Sequence, residues 1–295
     1  MTVLALVGPT ATGKSGLAIE VARGRPVEIV AIDALTLYRG LDVATAKPSP
    51  ADRAVVPHHL IDVLDPWGEA TVAWFQVAAR AALDDIRGRG ATPLLVGGSG
   101  LYLRAVVDDL DFPPTDPSVR SALEARYTDD PTRAHADLAD VDPLAASRID
   151  PMNLRRSVRA LEVIAITGAP FSASTPPSQV VEPLEVRGVD LPDDDLRRRV
   201  RERAERMVAG GLLDEAAGLR ELDRPLSRTA REAIGYAEAF RVLDGTASSD
   251  TLVDAIATRT WGYVRRQRGW FRREPRVVWS TPDQVRTAFG VPSAT

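Results

Sequence analysis

Eight residues near the start of the chain, Gly8-Pro9-Thr10-Ala11-Thr12-Gly13-Lys14-Ser15, match G-x-x-x-x-G-K-[ST], a spacing suited to holding phosphoryl groups. The glycines let successive backbone N–H groups turn inward around an anion, and a helix starting at the loop adds its partial positive charge. Lys14 would neutralise an outer phosphate and the Ser15 hydroxyl would hold Mg2+. Such a loop calls for a diphosphate or triphosphate; it does not by itself call for ATP. A kinase or nucleoside-triphosphate hydrolase pairs the loop with a strand ending in an acid that orders Mg2+. Here the best such strand, Pro93-Leu94-Leu95-Val96, runs instead into Gly97-Gly98-Ser99-Gly100, and the acid left at a nearby strand end is Asp33. Asp33 is therefore a metal ligand, a base, or only a cap for the segment that follows.

These residues need a scaffold. Val3 to Val7 is a continuous apolar run, as expected of a strand covered on both faces, and Gly16 to Ala22 has helical spacing. Val27 to Ile32 and Pro93 to Val96 read as further strands, with the Ala-rich amphipathic helix Val72 to Arg87 between them. Strands separated by helices predict an α/β fold, a P-loop parallel sheet flanked by helices, whose ligands bind at the carboxyl ends of the strands. Gly8 to Ser15, Asp33 and Gly97 to Ser99 all fall at those ends and should converge.

From Pro113 to about Gly168 the texture becomes helical, broken at Pro117, Pro131, Pro143 and Pro151, which predicts an α-helical insertion domain. Ala169 to Glu182, rich in proline and serine, reads as a loop or link, Leu184 to Leu191 as a strand, and Pro192-Asp193-Asp194-Asp195 as a helix start. Helices then run to about Phe271, with a last short strand from Arg276 to Trp279. The expected organisation is a first part of the core over 1–112, the insertion over 113–168, and a link, last core strands and helices over 169–295.

Composition narrows the chemistry. No cysteine is present, which excludes thiolate catalysis, disulfides and Cys-based metal sites, and His58, His59 and His135 are too few for a His-rich metal site. Net charge is −4, against non-specific nucleic-acid binding by the whole surface but not against a local basic patch. Among 37 Lys plus Arg only Lys14 and Lys47 are lysine, so a compact ammonium is kept where arginine otherwise dominates. No apolar run approaches the roughly 20 residues needed to span a bilayer, and Met1 leads straight into the first strand without a basic leader. The expectation is a soluble cytoplasmic monomer with no membrane partner.

Taken together, the phosphate loop, Asp33 with Tyr38-Arg39-Gly40-Leu41-Asp42, Thr45-Ala46-Lys47-Pro48, Pro57-His58-His59-Leu60-Ile61-Asp62, Val96-Gly97-Gly98-Ser99-Gly100-Leu101-Tyr102-Leu103, Arg159-Ala160-Leu161-Glu162, Ala233-Ile234-Gly235-Tyr236 and Trp270-Phe271-Arg272-Arg273 resemble, in order, the motifs of bacterial tRNA dimethylallyltransferases. The resemblance runs from residue 3 to about 279. It implies that Gly8 to Ser15 bind dimethylallyl diphosphate and that the acceptor is the exocyclic amine of the adenosine 3′-adjacent to the anticodon, in tRNAs reading codons that begin with U. It further implies catalytic roles for Asp33, Ser99 and Lys14, Mg2+ on Ser15, and tRNA contacts from Asp33, Ala34, Leu35, Thr36, Ser99, Arg120, Arg155, Arg156 and Arg159, with the helical insertion reaching the anticodon arm. The chain departs from the family's common wording at Ala34-Leu35-Thr36, where a polar triplet is frequent, at Ala44 for glycine, and at Ser99 for threonine.

Other residues carry two readings each. Lys47 is either a second anion contact or a solvated side chain, and His58-His59 are a proton relay, or structural or ligand-adjacent. Arg197 to Arg206 alternates with Glu202 and Glu205 as a salt-bridged exposed helix would. Arg265 to Arg273 reads as aromatics in the core with some arginines on phosphate, and Arg155 to Arg159 fit either RNA contact or a kinase-like lid. The rival functions are a P-loop small-molecule kinase, a prenyltransferase acting on free adenine nucleotides, and a non-catalytic RNA-binding switch.

Overall fold

The structure is a computed structural model and describes residues 2–174 and 179–291. Six strands, β1 (Val3–Val7), β2 (Val27–Ala31), β3 (His58–His59), β4 (Thr92–Gly97), β5 (Leu184–Gly188) and β6 (Val277–Trp279), form one sheet in the order β3-β2-β4-β1-β5-β6. Every pairing is parallel, with Leu4 to Val7 opposite Leu94 to Gly97 on one side of β1 and Val3 to Val7 opposite Leu184 to Gly188 on the other. The expected α/β fold with a parallel sheet is what the chain adopts.

The apolar runs of the inner strands feed both faces because side chains alternate along a strand. Val3, Ala5, Val7, Val30, Ile32 and Leu95 point to one face, where helices α2 (Val72–Gly88) and α3 (Gly100–Val107) bring Phe75, Leu83, Ile86, Leu103 and Val106. Leu4, Leu6, Ile29, Leu94 and Val96 point to the other, against Leu17, Ile19 and Val21 of the helix Lys14–Gly24, here α1, and Val285 and Phe289 near the chain end. A third cluster joins Tyr38, Leu41 and Ala44 to helices later in the chain, among them α4 (Asp193–Ala209) and α5 (Leu252–Phe271) through Ala204, Met207, Leu252 and Ile256.

The chain divides into two compact units, Met1–Val107 with Val181–Thr295, and Asp108–Val180. The second is wider at both ends than the 113–168 read from composition: Asp109 N–H donates to Gln179 O at 2.7 Å and Asp108 bridges Val180, so the strands of chain entering and leaving it are paired. Apart from that bridge, its longer regular elements among the described residues are the helices Pro117–Tyr127, Pro131–Val141, Pro143–Ala146 and Leu154–Thr167, joined by turns and coil. Pro117, Pro131 and Pro143 each stand in a helix's first turn, where a missing N–H costs nothing, and Asp116, Asp130 and Asp142 cap those helices. Part of the link expected over Ala169–Glu182 lies outside the described residues; Phe171–Ser174 is a short 3-10 turn.

The His58-His59 pair forms the edge strand β3, too short to show any alternation, which gives it a structural role. Three other expectations are corrected. The strand expected over Leu184 to Leu191 stops at Gly188, and the one expected to reach Ile32 stops at Ala31. Lys47 is neither solvated nor an anion contact: its side chain is 4% exposed, and its ammonium lies 2.6 Å from Asp42, 2.5 Å from Asp62 and 2.5 Å from the Tyr38 carbonyl. It is an internal strut tying the loop between β2 and β3 to the segment that follows β3.

Candidate active site

The phosphate loop leaves the central strand β1 at Val7 and enters α1 at Lys14. Gly8 and Gly13 adopt φ of +138° and +91°, which only glycine takes without strain, and Ala11 sits at +65°. The loop is braced from within: Thr12 Oγ1 donates to the Pro9 carbonyl at 2.9 Å, and the Lys14 ammonium donates to the same oxygen at 2.5 Å. Burial, and then the Arg203 charge, push the Lys14 ammonium down to about 7, against the opposing pull of Asp33 and Asp190. A lysine so placed gains most from an arriving anion.

Asp33 follows β2 and is partly buried; its Oδ1 accepts the Leu35 N–H at 2.9 Å, an Asx turn that fixes the carboxylate while leaving Oδ2 without a hydrogen bond among the described residues. Thr10, Ala11, Gly13, Lys14, Ser15 and Asp33 line one cavity of about 680 Å³ in the first unit, together with Thr36, Gly97 and Gly98. Gly8, Pro9 and Thr12 build the loop from behind, without facing that cavity. Part of the remaining wall is apolar, formed by Ala18, Ile29, Ala31, Val43, Ile61, Val96 and Met207. His58 also lines it, its imidazole held near Val56 O at 2.8 Å and its pKa lowered by burial, whereas His59 contacts Glu28 at 2.6 Å.

The residue that the sequence reading missed is Arg203. The α4 helix is salt-bridged on its exposed side, Arg198 to Glu202 at 2.8 Å and Arg201 to Glu205 at 3.2 Å, as the charge spacing predicts. Arg199, Arg203 and Arg206, one helical stripe, line the cavity, and the paired Arg198 and Glu202 stand at its edge beside them. Arg203 donates to Thr10 Oγ1 at 2.8 Å and to Ala44 O at 3.3 Å, and has no carboxylate partner among the described residues. Burial lowers its pKa and the Asp33 charge works against that. The available signal was the period: positions 199, 203 and 206 are one face, and no acid lies four residues from Arg203 toward it.

The basic aromatic segment also divides. Phe271 is buried and meets Trp270 edge-on with ring centroids 5.1 Å apart. Arg268 is buried as well, bound to Asp190, Asp193 and the Leu191 carbonyl, so it braces the end of β5 and is not available for phosphate. Arg265, Arg266, Arg272 and Arg273 are exposed.

Ser99 stands at the head of α3, where its hydroxyl accepts the Tyr102 N–H at 3.4 Å; it is not among the residues lining the cavity, and neither are Ala34 and Leu35. Ala44 is tolerated because the residue packed on it is Gly235, whose missing side chain leaves room for the extra methyl. In the second unit, Arg155 and Arg156 are exposed, while Arg120 and Arg159 converge on the fully buried Glu162, Arg159 Nη1 at 2.6 Å. Burial alone would raise the Glu162 carboxyl, yet hydrogen bonds from Arg120, Thr115 and Arg159 hold it down to about 2.

A parallel sheet carrying a strand-loop-helix anion cradle on its central strand defines a P-loop protein, here one whose β4 ends in glycine rather than in a metal-ordering acid. A family model described as IPP transferase matches residues 36–274, and one described as isopentenyl transferase matches residues 1–56. The chain belongs to the IPP transferase family. It is 50% identical over 288 residues to a tRNA dimethylallyltransferase of Kineococcus radiotolerans, covering 94% of this chain and 89% of that one. It is 45% identical to the tRNA dimethylallyltransferase of Thermobifida fusca, covering 98% and 94%. Among solved structures it is similar to the tRNA isopentenylpyrophosphate transferase of Bacillus halodurans, with a TM-score of 0.69 and 36% identity over 95% of this chain and 90% of that one.

Proposed function

We propose that this chain transfers a dimethylallyl group from dimethylallyl diphosphate to the exocyclic amine of the adenosine 3′-adjacent to the anticodon, in tRNAs reading codons that begin with U, releasing diphosphate. The observation that carries this reading is a single cavity in which the phosphate loop with Lys14, the Asp33 carboxylate and an apolar wall occur together. The diphosphate belongs on the loop, beside Lys14 and Arg203; the five-carbon tail belongs on Ile29, Val43, Ile61, Val96 and Met207, where burying apolar surface favours it.

In the reaction the amine nitrogen forms a bond to the prenyl C1 as the C1–O bond breaks, its electron pair leaving on the diphosphate. Asp33 accepts the amine proton, and the loop N–H groups, Lys14 and Arg203 stabilise the growing charge on the leaving group. No covalent enzyme intermediate is required. Mg2+ fits only as a partner of the diphosphate: the Ser15 hydroxyl and the Asp33 carboxylate line the cavity, and no group of three His, Cys, Asp or Glu among the described residues could hold a cation alone. When bound it would neutralise phosphate charge beside Ser15.

A base inside an anticodon loop must leave its stack to reach such a cavity. Asp33, Ala34, Leu35 and Thr36 near the strand end, Ser99 at the head of α3, and Arg120, Arg155, Arg156 and Arg159 in the second unit are the residues proposed to receive the RNA, Arg120 and Arg159 being oriented by Glu162. Among the described residues no helix is long and apolar enough to cross a membrane, and we take the working form to be a cytoplasmic monomer. The test is incubation of the full chain with labelled dimethylallyl diphosphate and unmodified tRNA, followed by nucleoside analysis. Label in a prenylated adenosine supports the reading; ATP consumption with a small acceptor and no labelled nucleoside would support a kinase instead.

A further inference from the structure

Gln267 lies on α5, distant in sequence from the phosphate loop, and is 4% exposed. Its Oε1 accepts the Thr10 N–H at 2.9 Å, and its Nε2 donates to the Gly98 carbonyl at 3.0 Å. One side chain thus joins the loop after β1 to the loop after β4. The fit leaves no slack: a Cβ on Gly98 would stand 2.0 Å from Gln267 Nε2, and one on Gly100 would stand 2.0 Å from Cε3 of Trp270, one turn further along α5. The two residues flanking Ser99 are therefore each pressed against α5. Thr10 is held from its other side by Arg203, at 2.8 Å from its hydroxyl.

An amide accepts from an N–H on its oxygen and donates to a C=O from its nitrogen at once, while adding no charge. A carboxylate at the same place would face the Gly98 carbonyl with no proton to give. An apolar group would leave Thr10 N–H and Gly98 O unpaired. We infer that Gln267 is a positioning residue for the transfer, setting the distance between the diphosphate loop and the Gly98-Ser99 segment. This inference rests on the function proposed above. In a reaction between two bound partners a misplacement of about 1 Å costs on the order of 100-fold in rate, and Gln267 bridges the loop proposed to take the donor to the Gly97-Gly98 wall of the same cavity.

The test uses the full chain, dimethylallyl diphosphate and unmodified tRNA, with kcat counted per folded molecule from circular dichroism. Gln267→Leu is expected to lower kcat by about 30- to 100-fold, with KM for either substrate moving by less than about threefold. Gln267→Glu supplies a readout that a merely structural role would not move. Its carboxyl, once protonated, can again donate to Gly98 O while accepting from Thr10, so its rate relative to the unmodified protein should climb as pH falls from 8 to 6. Unchanged kcat per folded Gln267→Leu molecule, a loss confined to KM, or a flat Gln267→Glu ratio overturns the inference while leaving the function standing. A starting protein inert toward donor and tRNA refutes the function, and the inference with it.

Discussion

Replacing Glu162 by glutamine tests whether the motif Arg159-Ala160-Leu161-Glu162 is a structural hub. The carboxylate is 0% exposed and accepts from Thr115 Oγ1 at 2.6 Å, Asp116 N–H at 3.1 Å, Arg159 at 2.6 Å and Arg120. Its pKa stands at about 2 against an ordinary 4.5, and at 1.36 kcal/mol for each pH unit that displacement corresponds to about 3 kcal/mol of folding free energy at neutral pH. The sign follows from the depression: the folded state prefers the charged form, so the contribution is complete above the unfolded value near 4.5 and fades as pH falls through about 2. Glutamine keeps the shape but presents an NH2 to two guanidinium groups that then lack a counter-charge, a loss of about 3 kcal/mol or more. Hydrogen exchange read by mass spectrometry on the Leu154–Thr167 helix at pH 7, in the intact chain, should show protection lowered by about that amount. Urea unfolding at pH 7, 5 and 3 should show the difference between the two proteins shrinking at the acid end. A loss under about 1 kcal/mol at pH 7, or one that does not change with pH, would refute the reasoning.

Three further outcomes are expected. Asp33→Asn should lower transfer by about 100- to 10,000-fold, the usual worth of a general base, while inorganic pyrophosphate binds as before; near-normal turnover removes Asp33 from the mechanism. Because Lys14 is held at about 7 in the free protein, pyrophosphate binding at pH 8 should take up close to one proton and weaken as pH rises to 9. Calorimetry in buffers of different ionisation heat reads that uptake, which should vanish in Lys14→Met; equal heats in both buffers would contradict it. Arg203→Ala should raise the donor KM by about 10- to 100-fold, in line with about 1.5–3 kcal/mol for a hydrogen bond to a charged group, and Arg203→Lys should restore only part, since an ammonium cannot span Thr10 and Ala44 together. A donor KM unchanged in Arg203→Ala would place that guanidinium outside the diphosphate site.

Much of the sheet was legible because its strands are buried on both faces. Val3 to Val7 and Leu94 to Val96 read as unbroken apolar runs, and a glycine loop after the first of them has few other uses. The two-residue β3 carries no periodicity and was invisible. Arg203 was hidden by its company: a helix with arginines at most positions of one stretch looks uniformly solvated until Arg198 and Arg201, which have acid partners, are separated from Arg203, which hydrogen-bonds to Thr10 and Ala44 instead. Lys47 was misread for a related reason, since its partner Asp42 in the loop between β2 and β3 and its partner Asp62 beyond β3 come together only in the fold. Gln267 bonds across 257 residues to Thr10, and no local pattern encodes such a pairing.

The grip of α5 on both glycine-rich loops also fixes when this catalyst comes into being. Residues 8–15 leave the ribosome well before the side chains that seat their loop, Arg203 and Gln267, which follow Thr10 by 193 and 257 positions. Cradle and closing side chain are thus separated by the synthesis of 257 residues, and a nascent chain halted before residue 267 would hold the anion motif without the clamp that aligns it.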